Sequence, residues 1–228
     1  MKDLGKRVIA YAAALSIQAL SNELLKRNKV TRRLKVRLLN DGLVEVGGPG
    51  LCFKETKLLK AVASGFAVPQ LLPLVLNFKN SLESIFILLQ IRKFFSNKEV
   101  NFDKVSLGLI AGLAGTAAFA NHNLHYIELL KDHKDEVVLF NVANSGIEIW
   151  FYFSSDDVWT VDSGEFSLNP TSVFTFKDLS VAHSAIIGWF DHLAGPAIGD
   201  VQISGNLPLL DKVGYISRKV QQQVPSML

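Results

Sequence analysis

The segment Gly199–Asn206 (GDVQISGN) and the residues after it leave this chain few options. Val201 and Ile203 alternate with Gln202 and Ser204, the period of a half-buried strand. Gly205 ends the strand. Asn206 is placed to cap a helix, with Pro208 in its first turn, where a missing N–H costs nothing. Arg218 and Lys219 fall near the far end, where positive charge suits the helix dipole. Along that helix Leu209, Val213, Ile216 and Val220 recur at spacings of 4, 3 and 4, a single apolar stripe.

Gly188 sits eleven residues before Gly199 and closes a predicted helix. Before it, TSVFTF (Thr171–Phe176) reads as a strand, and VWTV (Val158–Val161) followed by Asp162-Ser163-Gly164 as another. VVLFNV (Val137–Val142) and IEIWFYF (Ile147–Phe153) form a hairpin around Asn144-Ser145-Gly146. This order of four strands, helix, strand and helix, with its glycine intervals, resembles the sterol carrier protein type 2 family over roughly residues 120–222. Where that family often opens its second helical piece with Asn-Pro, this chain reads Trp189-Phe190-Asp191-His192-Leu193-Ala194-Gly195-Pro196.

The resemblance implies an α+β fold, a five-stranded mainly antiparallel sheet covered by helices, with a tunnel between the sheet and the C-terminal helices. It implies noncatalytic binding, or transfer, of a sterol, fatty acyl chain or other hydrophobic lipid. The expected lining is Trp189, Phe190, Leu193, Ile203, Leu209, Leu210 and Val213, which bracket the glycine-bounded strand. Ile147, Ile149, Phe151 and Phe153 share one face of their strand and Glu148, Trp150 and Tyr152 the other, so the first set is expected under the helices. Taken by themselves, these residues fit ordinary core packing better than a lining.

The N-terminal half has a different character. Residues 1–40 carry ten Lys/Arg against Asp3 and Glu23, a net of +8, whereas residues 105–228 carry six basic and thirteen acidic residues, a net of −7. The overall +3 conceals this division. Residues 4–25 read as an almost wholly apolar helix, and strands are expected around an Asn40-Asp41-Gly42 turn, ended by Gly47-Gly48-Pro49-Gly50. Helix returns over 57–95, where Gly65, Pro69 and Pro73 interrupt the uncharged run Ala61–Phe78. Val105–Ile127 is uncharged throughout, is expected to be capped by Asp103, and places Gly108, Gly112, Gly115 and Ala118 where helices could approach closely. The division expected is a basic, apolar, mostly helical region over 1–104 and the lipid-binding domain over 105–228.

Both uncharged runs raise the question of membrane contact, since about 20 apolar residues span a bilayer. Val105–Ile127 meets that length but is rich in Gly and Ala and ends in Asn121, His122, Asn123 and His125, so burial within the protein is expected first, with a spanning helix or membrane-surface association as alternatives; Ala61–Phe78 is too broken to span. Arg27, Arg32, Arg33 and Lys35 stand beside apolar helices and are the expected contacts with an anionic membrane surface. A solvated charged face explains the same residues. No aromatic platform interleaves these charges, which argues against nucleic acid. The expected location is cytoplasmic with peripheral membrane association. The basic apolar leader also fits a secretory signal or mitochondrial presequence, and Ser226-Met227-Leu228 resembles a peroxisomal address with Met in place of its basic middle residue.

Chemistry finds little support. Cys52 is the only cysteine, so neither an internal disulfide nor a multi-cysteine metal site is available. His122 and His125 share a helical face with Glu128 nearby, more simply a polar pair than a metal site. Gly47–Gly50 lacks the Gly-Lys-Ser/Thr ending of a phosphate loop, and no Gly-x-Ser-x-Gly elbow occurs. The expectation is a protein without catalytic residues, metal or cofactor. Its partners would be a lipid or other hydrophobic small molecule, an anionic membrane, and a second copy or a partner enzyme. The alternative is a scaffold that presents hydrophobic intermediates, such as isoprenoid quinone precursors, to biosynthetic enzymes.

Overall fold

A computed structural model describes residues 2–39, 43–64, 68–96, 99–191 and 194–224. The chain divides into two units, Met1–Lys98 with Gln222–Leu228, and Glu99–Gln221.

The N-terminal unit is organised by α1 (Lys2–Lys26), whose run of small and apolar residues allows burial on most sides. Ala10, Ala12, Ala13, Ala14, Leu20 and Leu24 are essentially inaccessible. Strands β1 (Val36–Leu38), β2 (Leu43–Val46) and β3 (Cys52–Lys54) pair antiparallel in that order. The Asn40-Asp41-Gly42 turn lies outside the described residues, and β3 extends the expected hairpin by one strand. The helical stretch expected over 57–95 is three helices, α2 (Glu55–Ser64), α3 (Leu71–Leu76) and α4 (Phe78–Ser96). Between α3 and α4, Asn77 leaves helical conformation at φ −123° and ψ 42°.

In the second unit α5 (Phe102–His122) is capped by Asn101, whose side chain accepts from the Lys104 N–H, and not by Asp103. The helix therefore begins before the expected boundary at 105. The uncharged run breaks at Asn123, which is extended and whose side chain accepts the His125 N–H to start α6 (Leu124–Leu130). Strands β4 (Val137–Val142), β5 (Ile147–Phe153), β6 (Trp159–Ser163) and β7 (Ser172–Phe176) follow, then α7 (Leu179–Ile186), the single turn α8 (Ala194–Ala197), β8 (Val201–Gly205) and α9 (Leu207–Gln223).

The five-stranded sheet runs β6-β5-β4-β7-β8. Only β4 and β7 pair in parallel; the other neighbours are antiparallel. The fold is α+β, with a mainly antiparallel sheet covered by helices on one side. Ile147, Ile149 and Phe151 are buried on that side, with Phe151 stacked on Trp159 at 5.0 Å between centroids. The opposite side holds Trp150 stacked on Phe166 at 5.0 Å, beside Val137 and Leu139.

Among the described residues, Arg7–Lys26 and Phe102–His122 are long and apolar enough to cross a membrane. Within the protein 78% of the second stretch is buried, the state of a core helix. The first packs on α2 and α4, and Arg7 Nε donates to Glu55 Oε1 at 3.0 Å.

Candidate functional site

The parallel register of β4 and β7 sets Phe140 beside Phe174 and Val142 beside Phe176. Phe174 and Phe176, two apart on one strand, must share a face. That face looks toward the helices, and the rings meet at 5.7 Å (Phe140–Phe174) and 5.0 Å (Phe174–Phe176). Above them α5, α7 and α9 do not close completely. They leave a cavity of about 120 Å³.

Its walls are Gly108, Leu109, Gly112 and Leu113 from α5, the three phenylalanines from the sheet, Ala185 and Ile186 from α7, and Leu210, Val213, Gly214, Ser217, Val220 and Gln221 from α9. Glycines of α5 and α9 border the hollow. A Cβ added at Gly112 or Gly214 would meet nothing within 4 Å. Gly108 does the opposite work, because a Cβ there would stand 2.8 Å from Ile186 Cδ1 and Cγ2. One glycine brings α5 against α7; the other two leave space.

The lining contains no titratable side chain. Its polar groups are largely committed. Thr116 Oγ1 donates to the Gly112 carbonyl at 3.0 Å, which uses its single proton, so Ser217 Oγ, 2.9 Å away, donates to Thr116. Ser217 then offers the cavity only acceptor lone pairs. Gln221 Nε2 donates to the Ala185 carbonyl at 2.7 Å, which leaves its Oε1 as acceptor and one N–H as donor.

The α9 end of this wall is held at its start by the predicted cap. Leu209 N–H donates to Asn206 Oδ1 at 3.2 Å, and Asn206 Nδ2 donates to Glu136 Oε1 at 2.8 Å. Hydrogen bonding from the Thr171 hydroxyl and then from the Asn206 amide holds the Glu136 carboxyl below its ordinary value.

Of the residues expected to line a lipid site, Leu210 and Val213 stand in the wall of this cavity. Leu209 is fully buried beside them, outside the lining, because the helical repeat turns it toward the packed layer. Ile203 sits opposite Phe174 in the β7–β8 register but beyond the cavity. Phe190 packs edge-on against Phe176 at 6.2 Å, also outside it. Trp189 is a correction: at 82% exposure it points to solvent, since the chain turns away from the sheet at Gly188, where φ is +79°. Leu193 lies outside the described residues.

The sequence reading missed the α5 wall and the polar pair Ser217 and Gln221. The small residues of α5 were the available signal, read there only as close approach. His125 and Glu128 build no shared centre, since Glu128 pairs with Lys131. Among the described residues, no group of three or more His, Cys, Asp and Glu is arranged to hold a metal ion.

The basic residues of the N-terminal unit are placed less uniformly than their spacing suggests. Arg27 Nε lies 3.1 Å from Glu23 Oε1. Arg32 is spent on α4, as described below, whereas Arg33 and Lys35 are exposed.

No family model matches the chain, and no curated protein matches it in sequence. Among solved structures it is similar to the sterol carrier protein domain 2 of Helicoverpa armigera, at 16% identity, over 52% of this chain and 92% of that one, with a TM-score of 0.39.

Proposed function

We propose that the unit Glu99–Gln221 binds a hydrophobic lipid without catalysis, holding the end of an apolar chain in the cavity between the sheet and α5, α7 and α9. The observation that carries this reading is an apolar hollow bordered by Gly112 and Gly214, with open space at both, and lined by no titratable group. A protein with no use for the space would gain helix stability by placing alanine at either position.

Size decides which part of a ligand enters. An engineered apolar cavity of about 150 Å³ accepts a benzene ring, so about 120 Å³ suits a chain end of roughly six carbons and not a four-ring nucleus. Six carbons at about 0.8 kcal/mol each contribute about 5 kcal/mol, which alone corresponds to an affinity weaker than about 100 μM. Tighter binding requires further chain to lie along the α7–α9 side, past Ile186 and Gln221.

Chemistry at that side favours a hydroxyl over a carboxylate. Ser217 Oγ and Gln221 Oε1 present acceptors beside the one free Gln221 N–H, a set matched by an O–H that both donates and accepts, and no cation lines the cavity to neutralise an anion. The ligand class supported best is therefore a long-chain alcohol or hydroxylated lipid.

The test uses the purified, delipidated full chain titrated with unlabelled 1-dodecanol and followed by calorimetry. Uptake is expected for the unaltered protein and a loss of at least tenfold for Gly112→Leu, with unchanged far-ultraviolet circular dichroism. Gly214→Leu fills the same space from α9 and serves if the first variant folds poorly. Undiminished uptake by both variants would falsify the site.

A further inference from the structure

The N-terminal unit leaves in water what a soluble surface ordinarily covers. α4 is apolar on two sides, and only one of them is packed. Ser81, Ser84, Ile87 and Ile91 face inward and are buried. That side is seated closely, since a Cβ on Gly47 would stand 2.3 Å from Ser84 Oγ, and one on Gly50 equally near Ser81 Oγ. Arg32 clamps the same helix, donating from Nη1 to Asn80 Oδ1 and from Nη2 to the Asn80 carbonyl and Ser84 Oγ, each at 2.9 Å. The helix is therefore fixed in rotation, and its outer side is presented, not loosely exposed.

On that outer side Phe78, Leu82, Phe86 and Leu89 follow one another at intervals of 4, 4 and 3, a single stripe. Their exposures are 63%, 56%, 61% and 57%. The adjoining α3 buries none of its residues, and its Leu71, Leu72, Val75 and Leu76 are exposed by 67% or more. Exposed apolar surface on this scale marks a site of association.

Charge selects the partner. At about 100° per residue, Lys93 falls within the arc of the stripe and Lys79 and Arg92 fall on its two borders. All three are exposed. The acid on α4, Glu83, stands 3.4 Å from the Arg32 guanidinium. An apolar stripe bordered by basic residues suits an anionic phospholipid surface, with the apolar side chains at the acyl boundary and the cations among the headgroups. A second copy of the same face fits less well, because two-fold pairing would crowd two sets of basic borders together.

We infer that the α3–α4 face docks the protein on an anionic lipid bilayer. This places membrane contact on apolar side chains of α3 and α4, where the sequence pointed to Arg27, Arg32, Arg33 and Lys35. The inference is independent of the cavity in the other unit.

Sedimentation of the full chain with vesicles tests it. The unaltered protein should pellet with vesicles of phosphatidylcholine and phosphatidylserine at seven to three, and at least tenfold less with phosphatidylcholine alone. Leu82→Glu/Phe86→Glu should lose at least tenfold in partitioning while its circular dichroism is unchanged. Leu168→Glu, an exposed apolar site in the other unit, should behave as the unaltered protein. Lys79→Glu/Lys93→Glu separates the electrostatic part and should abolish the preference for phosphatidylserine. Equal pelleting of the Leu82→Glu/Phe86→Glu protein overturns the proposal. So does a dimer by light scattering that this variant dissociates while the unaltered protein ignores vesicles, since a second copy would then be the occupant.

Discussion

Gly108 on α5 and Ile186 on α7 touch so closely that the smallest side chain would separate them: a Cβ at 108 would stand 2.8 Å from two carbons of Ile186. Both residues line the cavity. Gly108→Ala therefore brings a helix-propensity gain of about 1 kcal/mol into conflict with overpacking of about 1–3 kcal/mol. The expected result is net destabilisation of about 1 kcal/mol in urea unfolding, with reduced uptake of the fatty alcohol as Ile186 turns into the cavity. Stabilisation with undiminished uptake would refute this account of the contact.

Gly112→Ala is the contrasting case. Four positions along the same helix, its new methyl meets nothing within 4 Å. Stability should rise by up to about 1 kcal/mol from helix propensity alone. A fall in the urea midpoint would mean that the space is filled.

Gly205 closes β8 at φ +90°, and a Cβ there would lie within van der Waals overlap of the Thr171 carbonyl oxygen, 2.1 Å away. Neither atom can yield, since the neighbours belong to backbone next to the Ser172–Gly205 register pair. Gly205→Ala should lower stability by more than about 3 kcal/mol. Thermal unfolding checks this, and a loss under about 1 kcal/mol would contradict the geometry.

Glu136 predicts an acid limb. Its carboxyl titrates below the ordinary value of 4.5 when folded, because the Thr171 hydroxyl and the Asn206 amide favour the charged form. The unfolded chain then binds more protons in that range, so the contribution is complete above about 4.5 and is lost as pH falls through the folded value. Glu136→Gln keeps an acceptor for Asn206 and should flatten that part of the stability–pH curve between pH 3 and 5, on the order of the range set by the carboxylate. An unchanged slope would remove Glu136 from the α9 cap.

Arg32→Lys preserves charge but replaces a planar fork that reaches three acceptors on α4 with a single ammonium. Chemical unfolding should show a loss of about 1–2 kcal/mol, with vesicle partitioning retained. Lost partitioning at full stability would return Arg32 to the membrane contacts.

Much of the second unit could be read along the chain because its signals are local. Val201 and Ile203 alternate, Gly205 breaks, and Asn206 caps, and the structure contains β8, the turn and α9 in those places. Local signals also misled. Asp103 and Asn101 are both good caps, and only the path of the preceding chain selects Asn101. Trp189 is expected in the lining because it brackets the glycine-bounded strand, yet it is exposed just after Gly188, which adopts positive φ.

Periodicity is written along the chain: which residues alternate, which recur each helical turn, and where glycine and asparagine end an element. Backbone sterics and hydrogen bonding within a few residues are enough for that. Whether a glycine closes a gap or leaves one depends on the assembled fold, as Gly108 and Gly112 show on adjacent turns of one helix. The same fold sets Arg32 gripping α4 while Phe78, Leu82, Phe86 and Leu89 of that helix face water. Both outcomes depend on what stands opposite, and the residues that stand opposite lie tens of positions away in the chain.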